Sequence, residues 1–180
     1  MPNLLAVDIG FAKMGCCVLC IRERGYDLVY SRVCRTAPSK KVLGIRSAND
    51  NVRRSQEITR YVTNLIDEHQ ISVVALELPS MGAKSAKAMR AMGLACGVIA
   101  ALDVVYSKIP FLYVTPSDVK VALSGNKTAS KEELQVIAGG MYPKLFNGVT
   151  KTDKEHVADA IGVSQSVLED PVLQVLRSTL

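Results

Sequence analysis

The opening stretch NLLAVDIGFAKMGCCVLC contains two apolar runs, and the first of them stops at a charged residue, Asp8. Apolar runs of this length, separated by a short turn-like segment, predict neighbouring buried strands. A carboxylate at the end of a buried strand costs free energy unless it is paired with a positive charge or binds a metal ion. The rest of the chain must therefore fold so that Asp8 receives a counter-charge.

Strand-like and helical segments follow a simple order along the rest of the chain. The predicted strands are residues 4–8, 14–20 and 27–34, followed later by the segments ISVVALELP and FLYVTP. The predicted helices are roughly residues 52–69, capped by Asn49, Asp50 or Asn51, then 84–105, 117–123 and 130–142, and a last helix from Thr152 or Asp153. Strands followed by alternating helices and strands indicate an α/β fold, with a sheet covered by helices.

The size and charge of the chain favour a single globular domain, residues 1–180, with a polyanionic partner. Of the 180 residues, 48% are hydrophobic and 22% are charged, which is the composition of an ordinary folded domain and not of a disordered chain. A formal net charge of +5 is common in domains that bind nucleic acid. Charge alone does not identify the partner, so the positions of the basic residues must decide.

The five cysteines, Cys16, Cys17, Cys20, Cys34 and Cys96, favour free thiols over a disulfide framework. Their number is odd, and no secretory or transit segment is recognisable before them. Cys17 and Cys20 have the spacing of a zinc-binding pair, but no second pair or nearby histidine completes a site. We therefore expect buried thiols that act as small apolar side chains. The default location is a reducing intracellular compartment, the cytoplasm.

The longest uncharged apolar stretch is AMGLACGVIAAL, residues 91–102, which lies between Arg90 and Asp103. This stretch is too short to span a bilayer. We therefore interpret it as a central helix of the protein core, and we expect no membrane partner.

Three acidic residues occupy equivalent places in the predicted elements. Asp8 and Glu77 each end a strand, and Asp159 lies on the last helix, three residues after His156 and six after Asp153. Side chains three residues apart lie on the same face of a helix. If the two strands are neighbours and the helix packs beside them, these groups converge.

Converging carboxylates predict a metal site, because like charges repel each other unless a cation neutralises them. A ligand set rich in oxygen suits Mg²⁺ or Mn²⁺ better than zinc. Two such ions about 3.5–4 Å apart can activate a water molecule and stabilise the leaving oxygen of a phosphodiester. Taken singly, Asp8 also fits a turn residue, Asp153 a helix N-cap and His156 a surface histidine. It is their combination that favours the metal site.

The segments LLAVDIGFAKMGCCVL, VVALELPSMGAKSA and EHVADAIGV resemble the three acidic motifs of the RuvC-type Holliday junction resolvases, which belong to the ribonuclease H-like superfamily. The resemblance covers nearly the whole chain, with the same order and similar spacing. It implies a mixed sheet of three antiparallel strands followed by parallel strands, flanked by helices. It also implies a homodimeric endonuclease that uses Mg²⁺ or Mn²⁺, two ions per active site, to resolve four-way DNA junctions by symmetric nicks.

The resemblance assigns metal-binding and catalytic roles to Asp8, Glu77, His156 and Asp159. Many members have an aspartate where this chain has His156. That histidine is open to two roles, as a metal ligand through a neutral nitrogen or as a group that positions the water. Asp153 is a candidate supplementary acid.

The resemblance assigns phosphate-binding roles to Lys120 and Lys131, and we further expect Lys84, Lys87 and Arg90, which follow Glu77, to bind DNA. We expect Lys120 to neutralise the scissile phosphate or assist the leaving group, and Lys131 to hold an adjacent phosphate. The segment SMGAKSAKAMR is expected to form a DNA-facing loop and helix start, whose lysines bind phosphates without reading sequence. Bacterial members often carry an aromatic residue where this chain has Ser80, and Met81 could replace it as an apolar wedge.

Departures from the family pattern leave other functions open. Ser80 replaces the aromatic residue and Ile9 the usual proline, as in divergent phage-encoded relatives. The alternatives are a nuclease for other branched DNA or RNA–DNA hybrids, and a catalytically idle nucleic-acid-binding module. A third is an actin-like nucleotide-binding protein, whose phosphate loop resembles DIG followed by Lys13 and Gly15. Such proteins bind nucleotide between two copies of the domain, and this chain has one. The resemblance also raises a branch-migration helicase as a partner, which the sequence does not identify.

Overall fold

The computed structural model describes residues 1–39, 46–79 and 85–180, and it contains one sheet with helices on both faces. The strands are β1 (Asn3–Asp8), β2 (Lys13–Ile21), β3 (Tyr26–Arg35), β4 (Ile71–Glu77) and β5 (Phe111–Val114). The helices are α1 (Ser47–Glu68), α2 (Ala86–Val105), α3 (Pro116–Ser124), α4 (Lys131–Met141), α5 (Lys154–Ser166) and α6 (Pro171–Ser178). A short 3₁₀ turn, Lys151–Asp153, leads directly into α5.

The sheet is mixed and has the strand order β3-β2-β1-β4-β5. The β1–β2 and β2–β3 pairs are antiparallel, whereas the β1–β4 and β4–β5 pairs are parallel. The central strands β1 and β4 are buried on both faces, which explains why each is an almost uninterrupted apolar run. The predicted fold class, with antiparallel strands followed by parallel ones, is confirmed.

The alternation of side chains along the central strands divides the core into two layers. Leu4 and Ala6 of β1 belong to the layer that packs against α3, α4 and α5, and so does Ala75 of β4. The intervening side chains belong to the layer that packs against α1 and α2. The same alternation directs Asp8 and Glu77, at the strand ends, to the α5 side of the sheet.

The first helix begins earlier than the sequence pattern predicted. Ser47 is its first residue and Arg46 occupies the N-cap position, so the prediction of a cap among residues 49–51 is wrong. Asp50 lies in the first turn, and its carboxylate accepts hydrogen bonds from the backbone N–H and the hydroxyl of Ser39, at 3.1 and 2.7 Å. This contact ties the helix start to the segment after β3, so the boundary depends on a residue outside the helical pattern.

Helix α2 is not the central core helix that its apolar sequence predicted. Only Ala95, Ile99 and Leu102 are buried along it, and they belong to the core layer shared with α1. By length and composition alone the helix could cross a membrane, with a mean hydropathy of 1.7. Its outward face is apolar and exposed, which is typical of a surface that another molecule covers.

The sequence pattern also missed α6, so that α5 is not the last helix as predicted. The carboxylate of Asp170 accepts a hydrogen bond from the N–H of Val172 at 2.9 Å, Pro171 occupies the first turn, and Leu173 is buried. An N-cap residue followed by proline is a recognisable helix start. The helix is only eight residues long, although Val172, Leu173 and Leu176 form an apolar face that packs on the core.

All five cysteine thiols are free. Four of them are buried in β2 and β3, and Cys96 on α2 is partly exposed. Burial raises the pKa of Cys16 and Cys17 well above the ordinary value of a thiol, and raises that of Cys34 to about 11. These thiols are therefore protonated at neutral pH and pack as apolar groups.

A matched pair of valines tests how strongly α5 depends on its buried face. Val157 on α5 is fully buried, whereas Val136 on α4 is 75% exposed. We expect Val157→Ala to lower the free energy of unfolding by about 2 to 3 kcal/mol, because it removes buried methyl groups and leaves a cavity. The control Val136→Ala should change it by less than about 0.5 kcal/mol. Urea unfolding followed by circular dichroism measures both, and equal effects would contradict the assigned packing.

Candidate active site

The ends of β1 and β4 bring two carboxylates side by side. Asp8 and Glu77 are direct partners in the parallel register of the two strands, and both face α5. On its other side Asp8 is the register partner of Gly15 in β2. The carboxyl ends of adjacent parallel strands are a common place for ligands in α/β proteins.

Helix α5 brings a histidine to the first of these carboxylates. The Nδ1 atom of His156 lies 2.8 Å from Oδ2 of Asp8. A carboxylate only accepts hydrogen bonds, so the imidazole donates at Nδ1 and its Nε2 atom is left for another partner. The hydrogen bond to Asp8 raises the pKa of His156 and outweighs the opposing effect of burial.

A single open cavity of about 290 Å³ collects most of the predicted site residues. It is lined by Asp8, Glu77, His156, Asp159, Lys120 and Lys131, together with Glu155 and apolar side chains. Lys120 reaches the cavity from α3, whose start is fixed by a capping box between Thr115 and Asp118. Residues that are far apart in the chain therefore meet at one edge of the sheet.

The carboxylates in this cavity destabilise one another as anions. Burial, and then the neighbouring Asp8 and Asp159, raise the pKa of Glu77 to about 7. Burial, and then Asp8, likewise raise the pKa of Asp159 to about 7. Lys131 opposes the shift in both residues, but not enough to cancel it. At neutral pH the cavity therefore holds protons that a divalent cation could replace.

The donor set fits a hard divalent ion, but the side chains are not yet gathered around one point. Four carboxylates and one imidazole line the cavity, and three of the carboxylates, Asp8, Glu77 and Asp159, are not paired with a lysine of the described part of the chain. This set is rich in the oxygen ligands that Mg²⁺ and Mn²⁺ prefer. Within residues 1–39, 46–79 and 85–180, no three His, Cys, Asp or Glu side chains are grouped closely enough to hold an ion as they stand. Binding an ion would require these side chains to move towards each other.

Glu155 is a cavity residue that the sequence reasoning missed. Its carboxylate forms an ion pair with Lys131 at the start of α4, and this hydrogen bond raises the pKa of Lys131. No local sequence pattern predicts that Glu155 lines the cavity, because its ion pair with Lys131 depends on how close α4 and α5 lie. Lys131 is therefore already engaged by a carboxylate before any phosphate arrives.

Asp153 does not line the cavity, so the structure does not support its prediction as a supplementary acid. It is 4% exposed, forms an ion pair with Arg35, and has Lys13 Nζ at 3.2 Å from its Oδ1 atom. Burial alone would raise the pKa of Asp153, but hydrogen bonds from Arg35, Thr150 and Lys13 hold it below its ordinary value. The same contacts occupy Lys13, which the actin-like alternative assigned to a phosphate loop.

The remaining predicted DNA-binding residues lie apart from the cavity or outside the described part of the chain. Lys87 and Arg90 are exposed on the first turns of α2, and neither lines the acidic cavity. Lys84 and Met81 fall within residues 80–84 and so lie outside the described residues.

Comparison with known proteins assigns this combination of motifs and fold to one family. The family model for crossover junction endodeoxyribonuclease RuvC matches residues 4–166. A crossover junction endodeoxyribonuclease RuvC from Bacteroides fragilis is 30% identical over 135 residues, which are 73% of this chain and 64% of that protein. The chain therefore spans slightly less than two thirds of the length of that relative.

Solved structures share the fold at low sequence identity. The RuvC of T. thermophilus, solved in complex with a Holliday junction substrate, has a TM-score of 0.71 and 21% identity, over 92% of each chain. A yeast mitochondrial Holliday junction resolvase has a TM-score of 0.67 and 15% identity, over 99% of this chain and 82% of the other. These likenesses confirm the mixed sheet with flanking helices as a shared architecture.

The raised pKa values of Glu77 and Asp159 predict a pH-dependent stability. A carboxyl group whose pKa is higher in the folded than in the unfolded state binds its proton more tightly when the protein is folded. Its contribution to the free energy of unfolding is therefore fully present at pH values below its ordinary pKa, and it is lost as the pH rises through about 7. In EDTA, we expect Glu77→Gln to flatten the fall of the melting temperature between pH 5 and pH 8, while the exposed control Glu68→Gln leaves it unchanged. Mg²⁺ should raise the melting temperature more at pH 8 than at pH 5. Identical pH profiles for wild type and Glu77→Gln would contradict this.

Proposed function

Because the chain belongs to the RuvC family of crossover junction endodeoxyribonucleases, we propose that it is a metal-dependent endonuclease that resolves four-way DNA junctions by paired symmetric nicks. The observation that carries the proposal is the meeting of Asp8, Glu77, His156 and Asp159 in one cavity that also contains two lysines. Proteins of this family are metal-dependent nucleases, and the excess of half-buried carboxylates in the cavity accounts for the need of a cation.

Asp8, Glu77 and Asp159 are the residues that would hold Mg²⁺ or Mn²⁺, two ions per site. Asp8 lies between the other groups, since it is the register partner of Glu77 and accepts a hydrogen bond from His156. When bound, divalent ions lower the pKa of a water molecule and neutralise charge on a phosphodiester. The free Nε2 atom of His156 leaves both of its predicted roles available, as a ligand or as a group that orients the water.

The two cavity lysines are suited to different phosphates. Lys120 is half-buried among the acidic residues, where it can neutralise a phosphate next to the carboxylates. Lys131 is paired with Glu155, so it would exchange that carboxylate for a phosphate of the DNA backbone. The exposed Lys87 and Arg90, with Lys84 and Met81 as predicted neighbours, would extend the contact along the DNA. Contacts of this kind supply affinity that weakens steeply with salt.

A second candidate within the same superfamily is a nuclease for other branched DNA or RNA–DNA hybrids. The observation in its favour is Ser80, which stands where bacterial family members often carry an aromatic residue at the junction centre. Without that residue, selectivity for four-way junctions would depend on the arrangement of two active sites. A helicase partner remains a prediction of the family resemblance.

We further propose a homodimer formed through α1 and α2. Two adjacent grooves of about 390 and 360 Å³ run along these helices, and their walls are mainly apolar. Val105 and Val52, which line them, are 73% and 58% exposed. Gly93 and Gly97 allow a second helix to approach closely. A two-fold axis would set two active sites in the fixed relation that paired nicks on a symmetric junction require.

Removal of the central carboxylate tests the nuclease proposal. We expect Asp8→Asn to lower the cleavage rate of a four-way junction by at least ~10²-fold, because the ions would lose the carboxylate that lies between their other ligands. DNA binding should be retained, and the exposed control Asp67→Asn should cut normally. Four-way, three-way, flap and RNA–DNA hybrid substrates, each with Mg²⁺, Mn²⁺ or EDTA, separate the candidate activities. Normal cutting by Asp8→Asn, or cutting in EDTA, would contradict the proposal.

A charge placed on the apolar groove tests the dimer. We expect Val105→Glu to shift the protein from dimer to monomer, because an unpaired carboxylate would be buried between two subunits. The matched control Val175→Glu, at a valine of α6 that is 63% exposed, should leave the dimer intact. Sedimentation velocity at several protein concentrations measures the effect. A wild-type monomer at all concentrations, or an unchanged dimer in Val105→Glu, would contradict this interface.

A further inference from the structure

At the level of the site, the three neighbouring strands β4, β1 and β2 carry two carboxylates and a glycine side by side. Glu77, Asp8 and Gly15 are consecutive register partners on β4, β1 and β2. All three positions face α5, so a side chain at Gly15 would project towards the start of that helix. The structure thus has one empty position beside its central carboxylate.

That empty position is filled by the backbone of His156. A Cβ atom added to Gly15 would overlap the carbonyl oxygen of His156, and it would lie 2.5 Å from the carbonyl carbon and 3.1 Å from the Cβ atom. These are backbone atoms and a Cβ atom, which cannot rotate away as a flexible side chain can. Two residues further along β2, Cys17 does carry a side chain, and its Sγ atom contacts the carbonyl oxygen of Val157 at 3.6 Å. Helix α5 therefore leaves no room for a side chain at Gly15, although it leaves room for one at Cys17.

Lys13 holds the same end of α5 against β2. Its Nζ atom donates a hydrogen bond to the carbonyl oxygen of Thr152 at 2.9 Å and lies 3.2 Å from the carboxylate of Asp153. Asp153 is also paired with Arg35 on β3. The residues just before α5 are thus anchored to two strands, and the first turn of the helix lies directly over Gly15.

We propose that Gly15 is a positioning residue for His156, and that the contacts of Lys13 hold the start of α5 against β2 at this point. The missing side chain lets the first turn of α5 lie on β2, which brings Nδ1 of His156 within 2.8 Å of Asp8. A methyl group at residue 15 would lift the turn and lengthen this hydrogen bond. The consequence for cleavage rests on the proposed nuclease function, whereas the consequence for the geometry does not.

Histidine NMR spectra test the geometry without metal or DNA. The chain has two histidines, so His69 on the C-terminal end of α1 is an internal reference for His156. In Gly15→Ala we expect the Nδ1 resonance of His156 to move towards its position in Asp8→Asn, while the signals of His69 stay fixed. The control Gly140→Ala, on α4, adds a methyl group with nothing within 4 Å and should move neither. Unchanged His156 signals in Gly15→Ala would overturn the proposal.

Cleavage assays then test the consequence of the geometry. Since small displacements of a catalytic group cost on the order of 10²-fold in rate, Gly15→Ala should slow single-turnover cleavage by at least ~10-fold with junction affinity unchanged. In a His156→Ala background the same change should cost less than ~2-fold, because the group that Gly15 positions is gone. If Gly15→Ala slowed cleavage by the same factor in the wild-type and His156→Ala backgrounds, Gly15 would have only a structural role and the proposal would be overturned.

A second variant covers the case in which Gly15→Ala does not fold. Lys13→Met keeps the length of the side chain but loses the contacts with Thr152 and Asp153, and it should move the His156 signals in the same direction. Unmoved signals would overturn the proposal. If His156 moves in these variants but the wild-type protein cuts none of the four substrates, the positioning inference stands and the nuclease proposal fails.

Discussion

The parallel pairing of β1 with β4 is the constraint on which the rest of the site depends. It sets Asp8 beside Glu77 at the carboxyl ends of two strands that are buried on both faces. Burial, and then the neighbouring carboxylates Asp8 and Asp159, raise the pKa of Glu77 to about 7. The histidine, the two lysines and the proposed cations offset the negative charge of the two strand-end carboxylates, whereas Asp159 and Glu155 add to it.

Helix α5 brings both a hydrogen-bond donor and a further negative charge to the cavity. At its first turn His156 donates a hydrogen bond to Asp8, and one turn later Asp159 adds a half-buried carboxylate. Helix α5 can lie this close to the sheet because the face that packs on the sheet is apolar, and because Gly15 of β2 has no side chain at the point of contact. One face of α5 is thus apolar and packs on the sheet, whereas another carries the charged and polar side chains that line the cavity.

Local sequence patterns allowed the strands and four site residues, Asp8, Glu77, His156 and Asp159, to be predicted, whereas Lys120 and Lys131 were assigned from the family resemblance. An apolar run that stops at Asp8 or Glu77 predicts a strand end, and the spacing from His156 to Asp159 predicts one helix face. The start of α1 and the exposure of α2 were predicted wrongly, because they depend on contacts with residues outside the local pattern. Asp153 lies at the start of α5 as predicted, but it pairs with Arg35 and does not line the cavity. Asp50 binds Ser39, and Asp153 binds Arg35 across 118 residues of sequence. Glu155 escaped notice for the same reason, since nothing near it in sequence identifies Lys131 as its partner.

The distribution of the cysteines gives the fold a practical property. Cys16 and Cys17 are fully buried, with pKa values raised by burial, so oxidants and alkylating reagents meet few thiolates in the sheet. Cys96 alone among the five is partly exposed, and it sits on α2 next to Gly97. A fluorophore attached there would label the native protein at one position without any cysteine being engineered. Its emission would then record, in real time, whether solvent or another polypeptide lies over that helix.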